Sequence, residues 1–246
     1  MFKPKTPIIQ NLAQQQPKVI EQLENLLTGR CAVYIDYANV RSWSKRLGWE
    51  IDLKRLYQFL KSFDNIQKVS FYFGMLSDDE RSAKFIKTVK RFGYRVRTKP
   101  VKVMRIPIDV SSISPESPDI LKQCIHRALL QKLDIQTIEY LNTKLGELNK
   151  NGIDSLEEWK CNFDVEIAMD MTVDYERNGI DCFGLWSGDS DFHDLINELL
   201  NNRKKVILFA TARRIAFELN ELRLNGLIIF DIAKLRNFLV RDNRQK

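Results

Sequence analysis

The sequence predicts an α/β domain over residues 31–240, a central and mainly parallel sheet with helices on both faces. Three observations predict it. Short continuous apolar runs, the kind that form strands buried on both sides, recur along the chain. Amphipathic helical patterns separate them, and strand alternating with helix is the pattern of a parallel sheet covered on both faces. Carboxylates stand directly behind two of the runs, where open parallel sheets bind ligands. The chain's 246 residues, 44% of them hydrophobic, suffice for one large core or two small ones.

Taken in order, residues 1–30 read as an N-terminal extension: an extended polar lead with glutamines at 14–16, then a short helix through Val19, Leu23, Leu26 and Leu27 that stops at Gly29. Residues 31–35 (CAVYI) are the first strand, with Asp36 at its carboxyl end. A helix over 52–63 places Leu53, Leu56, Leu60 and Phe63 at helical spacing; 69–73 is a second strand, 79–92 a helix and 94–98 a third strand. Farther on, 164–177 is helical, 182–186 a strand, 192–201 a helix, 206–210 a strand, 215–222 a helix, 227–230 a strand and 232–240 a last helix, before a tail at 241–246. Residues 100–160 interrupt the rhythm with Pro107 and a Ser/Pro-rich run (SSISPESP), then helical segments around 120–133 and 135–148. This partly helical insertion is long for a connector, and long connectors in compact domains tend to be functional.

The net charge of +7 conceals a segregation. Between Arg81 and Arg105 there are ten basic residues and no acidic one; between Cys161 and Asn201 there are ten acidic residues against the single Arg177. The first segment suits phosphate and the second a cation. Within it, Phe85, Val89 and Phe92 form an apolar stripe opposite Arg81, Lys84, Lys87 and Arg91, so a solvated basic helix face is expected there. The four cysteines (Cys31, Cys124, Cys161, Cys182) form no CxxC pair, the N-terminus has no apolar leader core, and no apolar run approaches the ~20 residues of a membrane span. The expectation is a reduced cytoplasmic protein with no membrane association and no structural zinc.

Asp36 and Asn39 follow the first strand, and Ser187-Gly188-Asp189-Ser190-Asp191-Phe192 follows the strand at 182–186. Asp164, at the start of a helix, is a further candidate. Singly, each carboxylate has a structural reading as a strand end or helix cap. Brought together they would repel one another and raise each other's pKa unless a cation lay between them, and oxygen-only ligation suits Mg²⁺ or Mn²⁺ rather than zinc. Glu166, Asp170 and Asp174 share a helix face with Arg177, which reads as a solvated face. The sequence has no GxGxxG and no P-loop; His126 reads as structural and His193 as part of a surface helix.

These residues resemble the NYN domain family, a LabA-like branch of the PIN-like nucleases. VYIDYAN (33–39) resembles the family's first strand and its Asp and Asn, FDVEIAMDM (163–171) its helix motif, and LWSGDSDF (185–192) its Ser-Gly-Asp-x-Asp-Phe turn. The resemblance implies a PIN-like (Rossmann-like) three-layer fold and a divalent-metal-dependent ribonuclease site in which Asp36, Asp164, Asp189 and Asp191 hold Mg²⁺ or Mn²⁺ and Asn39 is the accompanying amide. Asp170 falls on a recurring family Asp and is a second-tier site residue. The sequence departs from the family where Asn162-Phe163 replaces the usual Lys-Gly, and in its longer insertion.

The expected activity is hydrolysis of RNA phosphodiester bonds, endonucleolytic on single strands, with the metal binding the scissile phosphate and activating water. Lys99, Lys102 and Arg105, with Arg41, Lys45 and Arg46, are candidates for flanking phosphates. Trp43 is either a platform for an unpaired base or a core residue. The rival expectation is a catalytically silent module of the same fold that binds RNA or DNA; a deoxyribonuclease is a third. A homodimer is compatible with the sequence.

Overall fold

In the computed structural model, residues 1–76, 79–108, 131–211 and 215–240 are described. The chain divides into two compact units, residues 1–100 with 162–246, and residues 101–161.

The first unit opens with two helices, α1 (Pro7–Gln15) and α2 (Pro17–Leu26). The extended lead expected before α2 is therefore helical. Thr6 caps α1 by accepting from the Ile9 N–H, and Pro7 stands at the helix's first position, where a missing N–H costs nothing. Strand β1 (Cys31–Asp36) is fully buried; Asp36 both ends it and caps the short helix α3 (Tyr37–Ser42), which leads through α4 (Ser44–Leu47) to α5 (Leu53–Leu60). Neither α3 nor α4 was legible as periodicity, each being under two turns. Strand β2 (Ile66–Met75), helix α6 (Glu80–Phe92, capped by Asp79 and ended at Gly93 in the left-handed region) and strand β3 (Arg95–Pro100) follow as expected, with shifted ends.

In the second unit, β4 (Lys102–Pro107) and β5 (Ser155–Lys160) pair antiparallel, Lys102 opposite Lys160 and Pro107 opposite Ser155, and α7 (Ile135–Lys150) lies between them in the chain. The insertion thus contains a two-stranded ribbon the sequence did not reveal, since nearly every residue of it is exposed and no face alternates with a core. The helical segment expected around 120–133 falls almost wholly outside the described residues.

The chain returns to the first unit with α8 (Asp164–Glu176), β6 (Cys182–Trp186), a 3₁₀ turn at Ser190–Phe192, α9 (His193–Asn201), β7 (Lys205–Ala210), α10 (Phe217–Glu221), β8 (Ile228–Asp231) and, after a further 3₁₀ turn, α11 (Arg236–Leu239). The six strands form one sheet of order β3-β2-β1-β6-β7-β8 in which every neighbouring pair is parallel. β1, β6 and β7 carry the core: Cys31–Ile35, Cys182, Phe183, Leu185, Trp186 and Val206–Leu208 are wholly buried, and Trp186 stacks on Phe209. Gly184 sits where β6 passes between Val33 and Phe209, and a Cβ there would stand 3.2–3.3 Å from both side chains.

Candidate metal centre

The sheet grows from β1 in one direction to β2 and β3, and in the other through β6 to β7 and β8. The order reverses between β1 and β6, so the carboxyl ends of these two strands flank the crevice in which such sheets bind ligands. Both acidic sequences lie there.

Asp36 is the last residue of β1, and one of its oxygens caps α3 by accepting from the Asn39 N–H at 3.4 Å. Its other oxygen accepts from the Ser187 hydroxyl at 3.4 Å, while the Ser187 oxygen accepts from the Asp189 N–H at 3.3 Å. Ser187 is wholly buried and so fastens the β6 turn to the end of β1. Asp189 caps the 3₁₀ turn through the Asp191 N–H at 3.3 Å. Asp164 opens α8, and its N–H, unsatisfied by the helix, donates to Asn162 Oδ1 at 2.7 Å. Asn162 therefore has a structural function at the start of α8.

Asp164, Asp189 and Asp191 each bring a carboxylate oxygen to within 4.8 Å of the other two. Asp36 stands outside this trio but close enough for its charge to act on Asp164. Burial pushes the Asp164 carboxyl up to about 6; a hydrogen bond from the Asn162 side chain to the carboxylate opposes the shift, and the charges of Asp189, Asp36 and Asp191 add to it. Burial likewise raises Asp36, against the bonds from Asn39 and Ser187 and with the help of the Asp189 charge. Asp164 Oδ2 is buried with no hydrogen-bond partner. A buried carboxylate oxygen without a donor, set among like charges, fits a hard cation.

Three expectations are corrected. Trp43 is fully buried, and its indole N–H donates to Asn39 Oδ1 at 3.0 Å, so it offers no face to a base and instead holds the Asn39 amide. Lys99 is not a free phosphate ligand: its ammonium lies 2.8 Å from both Glu166 oxygens and 4.8 Å from the Phe163 ring centre. The Glu166, Asp170 and Asp174 face of α8 is only partly solvated and is turned to strand residues. Below Glu166 comes Lys99; Asp170 accepts from Arg97 and from the Tyr72 hydroxyl, each at 2.7 Å; Asp174, 1% exposed, receives the Tyr34 hydroxyl, the Lys68 ammonium and, at 2.7 Å, the Asn178 amide. The outer face carries Val165, Met169 and Val173, all exposed, while Ile167 and Met171 are wholly buried, so apolar residues lie on two sides of the helix with the acidic row between them. Arg97 and Lys99 two apart on a strand, matched to Glu166 and Asp170 four apart on a helix, were the signal available for this ladder.

Arg41 is exposed on α3, just beyond Asp36. Lys102 and Arg105 belong to the second unit's ribbon, where Arg105 lies 3.7 Å from Glu157. Sequence reasoning did not assign Ser187 or Asn162 a part in the site, although both flank motif aspartates.

The family model of the NYN domain matches residues 30–117 and 119–223. The chain belongs to the NYN domain family. All four aspartates and Asn39 lie inside the matched residues, and the family, generally one of nucleases, implies a nuclease-like function. A crystal structure of a protein of unknown function from Vibrio parahaemolyticus is similar in fold, with a TM-score of 0.50 and 16% identity over 82% of this chain and 93% of that one. No curated protein matches the chain. Among the described residues no helix is long and apolar enough to cross a membrane.

Proposed function

We propose that this NYN protein is a divalent-metal-dependent ribonuclease that cuts single-stranded RNA internally. The observation that carries the reading is the partnerless buried oxygen of Asp164, converging with Asp189 and Asp191 at the switch point of the sheet. Asp164, Asp189 and Asp191, with Asp36 beside them, would hold Mg²⁺ or Mn²⁺. Bound there, the ion supplies Lewis acidity toward the scissile phosphate and a water of lowered pKa.

The chain's own residues perform the rest. Ser187 keeps the Asp36 carboxylate and the Asp189 turn in register, so the acidic groups are arranged before substrate arrives. Asn162 fixes the first turn of α8 and with it Asp164. Trp43 holds the Asn39 amide one turn beyond Asp36. Arg41, exposed on the same helix, is placed to bind a flanking phosphate. Without a cation the cluster would repel the scissile phosphate, so entry of that one phosphate into the acidic crevice depends on the metal.

The test is cleavage of labelled single-stranded RNA, and of DNA of the same sequence, with and without Mn²⁺, by wild type, Asp164→Asn and Asp189→Asn. Metal-dependent RNA cleavage reduced at least about 100-fold in either variant is expected, in the range that loss of a preorganised electrostatic group produces. Undiminished cleavage overturns the metal assignment. RNA binding that is indifferent to Mn²⁺, with no product from wild type, would mark a binding module, and faster cleavage of DNA a deoxyribonuclease.

A further inference from the structure

The basic run from Arg81 to Arg105 is divided by the fold. Arg97 and Lys99, on β3, are consumed by Asp170 and Glu166. The cations of α6 go the other way. Ser82, Ile86 and Val89 face the core, while Arg81, Lys84, Lys87, Lys90 and Arg91 are exposed. At 100° per residue these five occupy the half of the helix opposite the buried stripe.

An ordinary solvated helix face mixes signs, and acid–base pairs one turn apart support it. Here the sole such pair among the described residues is Glu80–Lys84 at 3.4 Å, with both side chains at least 80% exposed and hence of little worth. Arg81, Lys87, Lys90 and Arg91 have no carboxylate within ion-pair distance among the described residues. Lys84 and Lys87, Lys87 and Lys90, and Lys87 and Arg91 stand three or four apart with like charge, each pair costing a few tenths of a kcal/mol. The positive potential continues past the helix. At the end of α5, which packs against α6, burial and then the charges of Lys5 and Arg95 hold the Lys61 ammonium below its ordinary pKa.

Direction matters as well as charge. α6 connects β2 to β3, so it starts at the carboxyl edge of the sheet, the edge that carries the aspartates, and runs back toward the amino edge. From Arg81 to Arg91 the row of cations is about 15 Å long, the rise of about four stacked nucleotides.

We propose that the outer face of α6 is a phosphate track that holds the RNA strand beyond the cleaved bond, with Arg81 nearest the metal centre and Arg91 farthest. The proposal rests on the nuclease reading for the identity of the strand. The track binds backbone, not bases: α6 offers no exposed aromatic, so affinity along it is independent of sequence and set by salt.

The experiment measures binding of a labelled single-stranded 20-mer in EDTA, across a salt series, so that the result does not depend on whether cleavage occurs. The proteins are wild type, the triple variant Lys87→Gln/Lys90→Gln/Arg91→Gln, and a control of equal charge change on other faces, Lys18→Gln/Lys54→Gln/Lys234→Gln. Loss of three phosphate contacts is expected to lower the slope of log affinity against log salt by about 2 and to weaken binding tenfold to a hundredfold at 0.1 M salt. The control should keep the wild-type slope. An equal loss in both variants would mean that net charge alone is being read and would overturn the track, as would wild-type affinity in the α6 variant. Wild-type RNA binding together with lost binding to vesicles containing phosphatidylserine would give the face to a membrane surface instead. If wild type binds RNA through α6 but never cleaves it, the track stands and the nuclease reading falls.

Discussion

Arg97 on β3 donates to Asp170 Oδ1 at 2.7 Å, six residues along α8 from Asp164, so an acid–base contact on the sheet fixes the rotation of the helix that presents the metal-site carboxylate. Both side chains are partly exposed, and the ion pair alone should contribute 0–1 kcal/mol. The Tyr72 hydroxyl beneath the same carboxylate is the more demanding partner. Asp170→Ala should therefore destabilise by about 1–3 kcal/mol, more than Arg97→Ala, because it removes the acceptor of a largely buried hydroxyl. Chemical denaturation of the two variants gives the order; a larger loss for Arg97→Ala contradicts it.

At the far end of the ladder the order of magnitude rises. Asp174 is the buried acceptor for the Lys68 ammonium and the Tyr34 hydroxyl, and Asp174→Ala strands a cation and a phenol in the interior. Breaking one side of a buried pair costs about 3–5 kcal/mol, whereas Tyr34→Phe removes one charge-assisted bond worth about 1.5–3 kcal/mol. Thermal melts should place Asp174→Ala well below Tyr34→Phe.

The Asp164 carboxyl, raised to about 6, binds its proton more tightly in the folded chain than in the unfolded one. Its contribution to stability is thus fully present below the unfolded value near 4 and is lost as pH rises through about 6. In metal-free protein Asp164→Asn should then melt higher than wild type at pH 7.5, by roughly 1 kcal/mol once solvent screening of this half-buried group is allowed for, and the difference should vanish at pH 4. Added Mn²⁺ should reverse the order at pH 7.5 by stabilising wild type alone. A lower melting point for the metal-free variant at pH 7.5 refutes this.

Trp43→Phe retains an aromatic ring in the core and deletes the bond to Asn39. A stability loss of about 1 kcal/mol is expected, with unchanged RNA affinity in EDTA, since the ring never meets solvent. Weakened RNA binding at unchanged stability would restore the ring to the substrate.

What the sequence disclosed follows from where each signal originates. β1, β6 and β7 were legible because a strand buried on both faces is a continuous apolar run, and the aspartates were legible because strand ends follow from strands. Residue identity alone could not say which way Trp43 turns: it is a core side chain because α3 begins immediately at Asp36 and carries it inward. The ladder under α8 was harder to read because its partners come from β1, β2 and β3, 67 to 140 residues distant, and only the matched spacing of Arg97 and Lys99 with Glu166 and Asp170 hinted at it. The ribbon of β4 and β5 left no trace because period-two patterning needs a buried face to write it.

That ribbon has a topological corollary. Lys102 and Lys160 are Cα partners, so the first and last strands of the second unit lie side by side and the unit leaves and rejoins the chain through neighbouring points. The segment between Pro107 and Ser155 is a loop already closed at its neck. Residues gained or lost there add only a slowly growing entropic term, without lengthening the path from β3 to the helix that begins at Asp164. Insertions and deletions between the two strands therefore leave the covalent connection from β3 to α8 at the same two points of the chain.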